Sequence, residues 1–258
     1  MNLVYIQSAA VPRELPYRDF YYPLNVFMHV LTHEEGDVTY LHYGLFERPD
    51  ERIAVAQERS TALLLQRLPR PPARVLEVGI GLGTTLNRLT KLGYAATGIT
   101  PDEKQLAVAR KRYGDAVHID NVALEDFPPR DFDVVVFQES SQYIDSQTLF
   151  AKAKELARDV VVLDEFSLGA GPLHRFDEFV GAAEQNGFTQ VEQIDLSSKA
   201  APTVDYFMQR FERYRGTLVD DLGITNDQVD ELIASGRTYR ERYANGTYVY
   251  RLLRFTKR

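Results

Sequence analysis

The chain has 258 residues, 44% of them hydrophobic and 26% charged, with no cysteine and a formal net charge of −7 at pH 7; these are figures of a globular protein of one domain, or one domain with an elaborated cap. The absence of cysteine excludes a disulfide framework, a thiolate metal site and a cysteine nucleophile, and the acidic balance gives little attraction to nucleic acid or an anionic membrane. No basic start leads into an apolar stretch and no run of about 18 apolar residues occurs, so a cytoplasmic protein without a membrane partner is expected.

The first 50 residues, rich in Tyr, Pro and His, read as an N-terminal lid segment (1–50) rather than as the start of a helical domain. Asp50 is a candidate N-cap, and ERIAVAQERSTALLLQRL after it predicts an amphipathic helix. Short apolar runs then alternate with amphipathic stretches, the pattern of a parallel sheet covered by helices on both faces. Five runs read as strands: Arg74 to Val78, Ala95 to Ile99, Ala116 to Asp120, Asp133 to Gln138 and Val160 to Asp164. VVVF and VVVL lack period-two alternation, so both faces of those strands are expected to be buried. Helices are predicted between them at Leu82 to Leu92, Asp102 to Tyr113 and Gln147 to Ala157. A further helix at Leu173 to Asn186 ends at Gly187, a residue suited to the left-handed C′ position, and Phe188 to Leu196 reads as a sixth strand closing a core of residues 51–196. Residues 197–246 are expected to form a helical insertion, with one helix over Pro202 to Leu218 and a second opened by the capping box Thr225 to Gln228. The alternating stretch Thr247 to Phe255 supplies a seventh strand within 247–258.

Of the 15 tyrosines, 12 lie before residue 45 or after residue 200. Such residues suit the wall of a small-molecule chamber, or equally the anchoring of small elements onto a core.

The most specific signal is VLEVGIGLGT, Val75 to Thr84, an apolar strand that ends in an acidic residue and runs into glycines before a helix. Glycine lets the backbone turn tightly and approach a ligand, and the helix N-terminus offers unpaired N–H groups. The dinucleotide fingerprint is not matched, because the third glycine comes one residue early, and no P-loop lysine follows. A carboxylate that ends a buried strand is costly without partners, which singles out Glu77.

These residues resemble motif I of the class I S-adenosylmethionine-dependent methyltransferases. The resemblance implies an α/β, Rossmann-like seven-stranded sheet with the last strand antiparallel, and the seven strands read above agree with it independently. GITPDEKQ, Gly98 to Gln105, is similar to the segment after the second strand in the cyclopropane-fatty-acid-synthase-like small-molecule branch. Leu124 and Glu125 resemble its adenine-side pair, FDVVVFQESSQYI its motif IV, and Phe46, Glu47, Ala56 and Gln57 its spacing upstream of motif I.

What the resemblance implies is S-adenosyl-L-methionine as cofactor. Gly79, Gly81 and Gly83 would border its methionine end and Glu77 would orient the ammonium; Thr100 and Gln105 would face the ribose, Leu124 and Glu125 the adenine, and Gln138 the sulfonium side. Thr100 with Pro101, Asp102 and Glu103 also reads as a capping box, and the two roles are compatible. His42 lies in the segment that crosses the cofactor in that branch; where Tyr-Ser is usual this chain has Leu41-His42, so Tyr43 is a candidate for the missing hydroxyl. Glu139, at the C-terminal edge of the fourth strand where open α/β sheets bind ligands, joins His42 as a candidate catalytic base.

His174, Tyr22, Tyr206, Tyr239 and Tyr243 are candidate substrate-positioning residues, with a surface role the alternative for His174. Arg210, Arg213 and Arg215 would suit an acidic substrate or a solvated helix face. Gln142-Tyr143 stands where cyclopropane synthases carry Glu-His, which disfavours carbocation chemistry on a lipid. A methyltransferase acting on a small metabolite, of a kind that specialised biosynthesis uses, is the expected function, with a cofactor-binding module lacking transfer activity as the alternative. No metal is expected, and nothing in the sequence sets an oligomeric state.

Overall fold

A computed structural model describes residues 15–258; the part of the expected lid before Leu15 lies outside the described residues. Two helices precede the sheet, α1 (Leu24–Glu35) and α2 (Ile53–Leu65). Strands and helices then alternate as β1 (Arg74–Val78), α3 (Thr84–Lys91), β2 (Ala95–Ile99), α4 (Glu103–Tyr113), β3 (His118–Asp120), β4 (Phe132–Gln138), α5 (Ser146–Leu156), β5 (Ala157–Ser167), α6 (Phe176–Gln185) and β6 (Phe188–Asp195). Four helices follow before the last strand: α7 (Ser197–Ala200), α8 (Pro202–Arg213), α9 (Arg215–Leu222), α10 (Asn226–Ala244) and then β7 (Tyr248–Lys257). The sheet order is β3-β2-β1-β4-β5-β7-β6. β7 runs antiparallel to both its neighbours, while β1 to β5 pair in parallel.

Alternation along β4 and β5 feeds two separate cores. Val135, Phe137, Val160 and Val162 pack with Phe150 of α5 and Phe179 of α6 on one face. Val134, Val136, Val161 and Leu163 pack on the other with Leu64, Leu89, Ala200 and Val204 from α2, α3, α7 and α8. Burial on both faces explains why these strands carry continuous β-branched runs.

The structure departs from the sequence-based expectation in particular places. α1 was not expected: Asn25, Val26, Met28, His29, Val30 and Leu31 are all buried, and a helix covered nearly all round has no polar stripe to reveal its period. α2 begins after Arg52, not at Asp50, and has no side-chain cap; Glu51 instead pairs with Arg59. α4 is capped by Asp102, whose carboxylate accepts from the Lys104 and Gln105 N–H groups, so Thr100 is not its cap. The single helix expected over 202–218 is two helices, broken at Tyr214 (φ −99°, ψ 11°), whose hydroxyl donates to Glu34 beyond the end of the His29–His33 turn. Thr225 and Gln228 do form the reciprocal capping box of α10.

Phe150 is fully buried, with its ring 5.0 to 5.8 Å from those of Phe179, Phe255 and Phe188. Phe150→Ala is expected to lower unfolding free energy by about 3–5 kcal/mol, read as a reduced urea midpoint with an unchanged denaturant slope.

Candidate active site

A cavity of about 870 Å³ opens at the C-terminal ends of β1, β2, β4 and β5, the edge of an open α/β sheet where ligands bind. Its roof comes from outside the sheet: Leu24 and Phe27 of α1, the segment 39–43, Phe207 and Phe211 of α8, and Leu232 and Tyr239 of α10.

On the β1 side the glycine turn holds Gly79, Gly81 and Gly83 at φ of 75°, 51° and 78°, a region that an ordinary side chain enters only with strain. A Cβ at Gly79 would meet that of Ser140 at 2.5 Å, whereas at Gly81 the nearest atom is Leu41 Cδ1 at 3.7 Å, across the cavity wall. Gly79 and Gly81 line the cavity; Gly83 does not, and its would-be Cβ meets Ala109 at 2.8 Å. The third glycine is therefore kept for the contact between α3 and α4, a correction to its expected place beside the cofactor.

Glu77 lines the same wall, only 2% exposed, and its Oε2 has no hydrogen-bond partner among the described residues. Burial pushes its carboxyl up to about 8. A buried, unpaired carboxylate is expensive, and a cationic group in the cavity would remove that cost. Thr100, Gln105, Leu124 and Glu125 also line the cavity. The Thr100 hydroxyl accepts from the Asp102 N–H at 3.1 Å, and its carbonyl accepts from Asn121 at 2.8 Å, which shapes the turn from β2 into α4.

The floor between β4 and β5 carries three carboxylates, Glu139, Asp164 and Glu165, of which only the first was expected. Glu139 has a positive φ of 54°. Its Oε1 accepts from the Tyr43 backbone N–H and from the Tyr250 hydroxyl, each at 2.6 Å, and Oε2 makes no hydrogen bond among the described residues. Burial, reinforced by the neighbouring Asp164 and Glu165, raises its carboxyl well above the usual range, against the pull of the Tyr250 hydroxyl. Asp164 accepts from the Ser141 hydroxyl at 2.6 Å and from its N–H at 3.0 Å, and burial lifts it to about 6. Glu165 receives the Tyr243 hydroxyl and is lifted by burial to about 7. The signal for the second and third acids was present in VVVLDE, an apolar strand ending in two carboxylates, but only β4–β5 pairing brings them beside Glu139.

His42 is on the wall, yet its ring is used up. Nδ1 donates to the Tyr43 carbonyl at 2.9 Å, and Nε2 faces the Thr61 hydroxyl at 3.0 Å. Thr61 also accepts from Gln138 Nε2 at 3.2 Å, and the Gln138 oxygen accepts from Thr85 at 3.1 Å. Burial lowers the imidazole to about 4. A neutral ring with both nitrogens bonded is a strut for the segment 39–43, and the expectation of a histidine base is corrected on that ground.

Of the expected substrate residues, Tyr239 alone lines the cavity. Tyr22 is exposed, its hydroxyl donating to the Gln228 carbonyl. Tyr206 lies under the Arg210 guanidinium, 3.9 Å from its ring centroid. Tyr243 stands behind Glu165. His174 directs Nε2 at the Ser141 and Ile144 carbonyls, both at 3.0 Å, and so braces the loop after β4. Arg210 and Arg213 pair with Glu34, and Arg215 with Glu212 and Asp230; none of these arginines reaches the cavity.

No curated protein matches the chain by sequence. Residues 76–160 match the methyltransferase domain family. Among solved structures the chain is similar to the cyclopropane synthase MmaA2 from Mycobacterium tuberculosis (15% identity, 94% of this chain and 96% of that one, TM-score 0.79). It is also similar to the cyclase SpnF (20% identity, 90% and 92%, TM-score 0.74), and to geranyl diphosphate C-methyltransferase from Streptomyces coelicolor A3(2) (15% identity, 96% and 100%, TM-score 0.68). At such identities the likeness carries the fold. Among the described residues no helix is long and apolar enough to cross a membrane. The chain therefore has the seven-stranded methyltransferase fold, and residues 76–160 within it match a methyltransferase domain.

Proposed function

We propose that this protein transfers a methyl group from S-adenosylmethionine to a small molecule that has an apolar body and no negative charge. The observation that carries this reading is the lining of the cavity. Among the described residues it includes Glu77, Asp102, Glu125, Glu139, Asp164 and Glu165 but no lysine or arginine, while Phe27, Phe207, Phe211 and Leu232 form an apolar roof. An anionic acceptor would find no cationic side chain to offset the loss of its hydration and would have to leave the raised carboxyls protonated, whereas a neutral or cationic one meets neither cost.

The cofactor fits the β1 side. Bound there, it would supply an electrophilic methyl group for in-line displacement. The orphaned oxygen of Glu77 would hold the ammonium, with the backbone at Gly79 and Gly81 against the methionine end. Thr100 and Gln105 would face the ribose, and Leu124 and Glu125 the adenine. Gln138, fixed by Thr85 and Thr61, and the ring of Tyr43 would border the sulfonium side. Most of the catalytic effect would come from holding the acceptor in line and keeping water out. An acceptor that must lose a proton would give it to Glu139, whose Oε2 is unused while Tyr43 and Tyr250 fix the other oxygen. Tyr239 and the pair Glu165–Tyr243 would position the acceptor.

The cofactor reading predicts a pH dependence with a definite sign. Below about 8 the free protein carries a proton on Glu77, and an ammonium ligand requires the carboxylate, so binding releases a proton and tightens as pH rises toward that value. Calorimetry with S-adenosylhomocysteine near neutral pH should give heats that differ between phosphate and Tris by their ionisation enthalpies. Glu77→Gln should weaken binding at least about tenfold; identical heats and an unaffected variant would remove Glu77 from the site.

Glu139→Gln should reduce turnover by about 100- to 10,000-fold while S-adenosylhomocysteine affinity is kept. With the wild type, the rate should climb with pH through an inflection above the ordinary carboxylate range, because the base must be ionised. His42→Gln should leave that inflection where it is. Full turnover by Glu139→Gln would mean that the acceptor arrives already nucleophilic.

The charge argument is tested without knowing the substrate. A metabolite extract incubated with the protein and methyl-labelled cofactor should yield label in neutral or cationic products, and label confined to anionic products would overturn it.

A further inference from the structure

We propose that His29, His33 and Asp221 form a binding site for a divalent transition metal ion, with zinc the ion of choice, that clips α1 to α9. This site is separate from the cavity. His29 and His33 stand four residues apart on α1, one above the other on the same face, with ring centroids 4.1 Å apart. Asp221, in the last turn of α9, comes to meet them, and one ligand atom from each of the three lies within 4.8 Å of the others.

Three features favour a ligand set over a chance cluster. The first is the orientation of the rings. His29 Nδ1 is 3.3 Å from the Tyr17 hydroxyl, and His33 Nδ1 is 2.8 Å from the His29 carbonyl. A metal-binding histidine typically has its remote nitrogen held by an oxygen in this way, which orients the ring toward the ion. His29 Nε2 accordingly looks toward the Thr217 hydroxyl at 3.1 Å and Asp221 at 4.0 Å, and His33 Nε2 has no hydrogen bond among the described residues.

The second is access. His29 is fully buried, but His33 and Asp221 are partly exposed, so an ion can enter from solvent and the carboxylate can swing. Tetrahedral zinc at about 2.0–2.1 Å sets its ligand atoms roughly 3.3 Å apart, so the three side chains would have to draw together from their present separations of up to 4.8 Å.

The third is donor chemistry. Two imidazoles and one carboxylate with an open fourth position suit zinc, and suit calcium or magnesium poorly. Binding at His29 Nε2 would require its proton to move to Nδ1, which would then donate to the Tyr17 hydroxyl. The consequence reaches the cavity, because α1 contributes Leu24 and Phe27 to its roof and α9 continues directly from α8, which contributes Phe207 and Phe211. An ion at this position would hold the two parts of the roof together.

The test uses the full chain stripped with chelator and titrated with Co²⁺ as a spectroscopic stand-in, then with Zn²⁺. The expected result is a visible absorption band that saturates at one equivalent per chain and is bleached by Zn²⁺. His33→Gln and Asp221→Asn change partly exposed side chains and should fold. Each is expected to weaken Co²⁺ binding at least about tenfold, to abolish the rise in Tm caused by Zn²⁺, and to leave S-adenosylhomocysteine binding intact, which separates this site from the proposed active site. Absence of the band, or an unchanged titration in both variants, would overturn the proposal and leave His29 as a buried hydrogen-bonding residue only.

Discussion

β4 and β5 are buried on both faces, and the rest of the molecule is arranged around that constraint. A parallel strand so enclosed needs a crossover to reach its neighbour, so helices must cover both faces and the connecting turns fall at the strand ends. Polar side chains have no place along Val134 to Phe137 or Val160 to Leu163. They gather at one end, as Gln138 and Glu139 where β4 closes and as Asp164 and Glu165 on the part of β5 that runs beyond it. The chemistry therefore stands at one edge because hydrocarbon occupies everything behind it.

That edge is held under strain. Glu139 is the one described non-glycine residue with positive φ, a conformation that costs of order 1–3 kcal/mol. Its carboxylate joins the segment after α1, through Tyr43, to β7, through Tyr250, positions 96 and 111 residues away in the chain. Burial of three carboxylates side by side raises all three above their ordinary range, and four tyrosines from the two ends of the chain surround them. The concentration of Tyr toward the two ends of the chain thus has two explanations at once. Tyr43, Tyr239, Tyr243 and Tyr250 converge on the acids, while Tyr206, Tyr214 and Tyr248 pack within the added helices and the last strand.

The fold does not choose the reaction. A cyclase and a cyclopropane synthase are similar to this chain in fold, and the roof of the cavity here comes from elements added before β1 and between β6 and β7. In this chain those additions are α1 and α7 to α10. They pack on one another through Phe27, Phe207 and Phe211, with ring centroids 4.8 to 6.0 Å apart, and through the Glu34 contacts with Arg210, Arg213 and Tyr214. The arginines that seemed available to an acidic substrate are consumed in this way.

The sequence by itself determined the strands, their number, the crossover helices and the glycine turn, because each depends on local periodicity or on a backbone conformation only glycine enters readily. It marked Glu77 and Glu139 as residues of interest because each stands at the end of an apolar strand, while Thr100 came from the resemblance of the segment Gly98 to Gln105. Tertiary structure alone decided which polar groups face each other. His42 became a strut when Thr61 from α2 met it, Gly83 became a packing residue when Ala109 came within reach, and Asp164 and Glu165 joined Glu139 through strand pairing. α1 was invisible for a related reason, since a helix buried nearly all round shows no polar face until its neighbours are known. Periodicity is carried by neighbours in the chain, whereas a site is made by residues a hundred positions apart, and no local pattern records that distance.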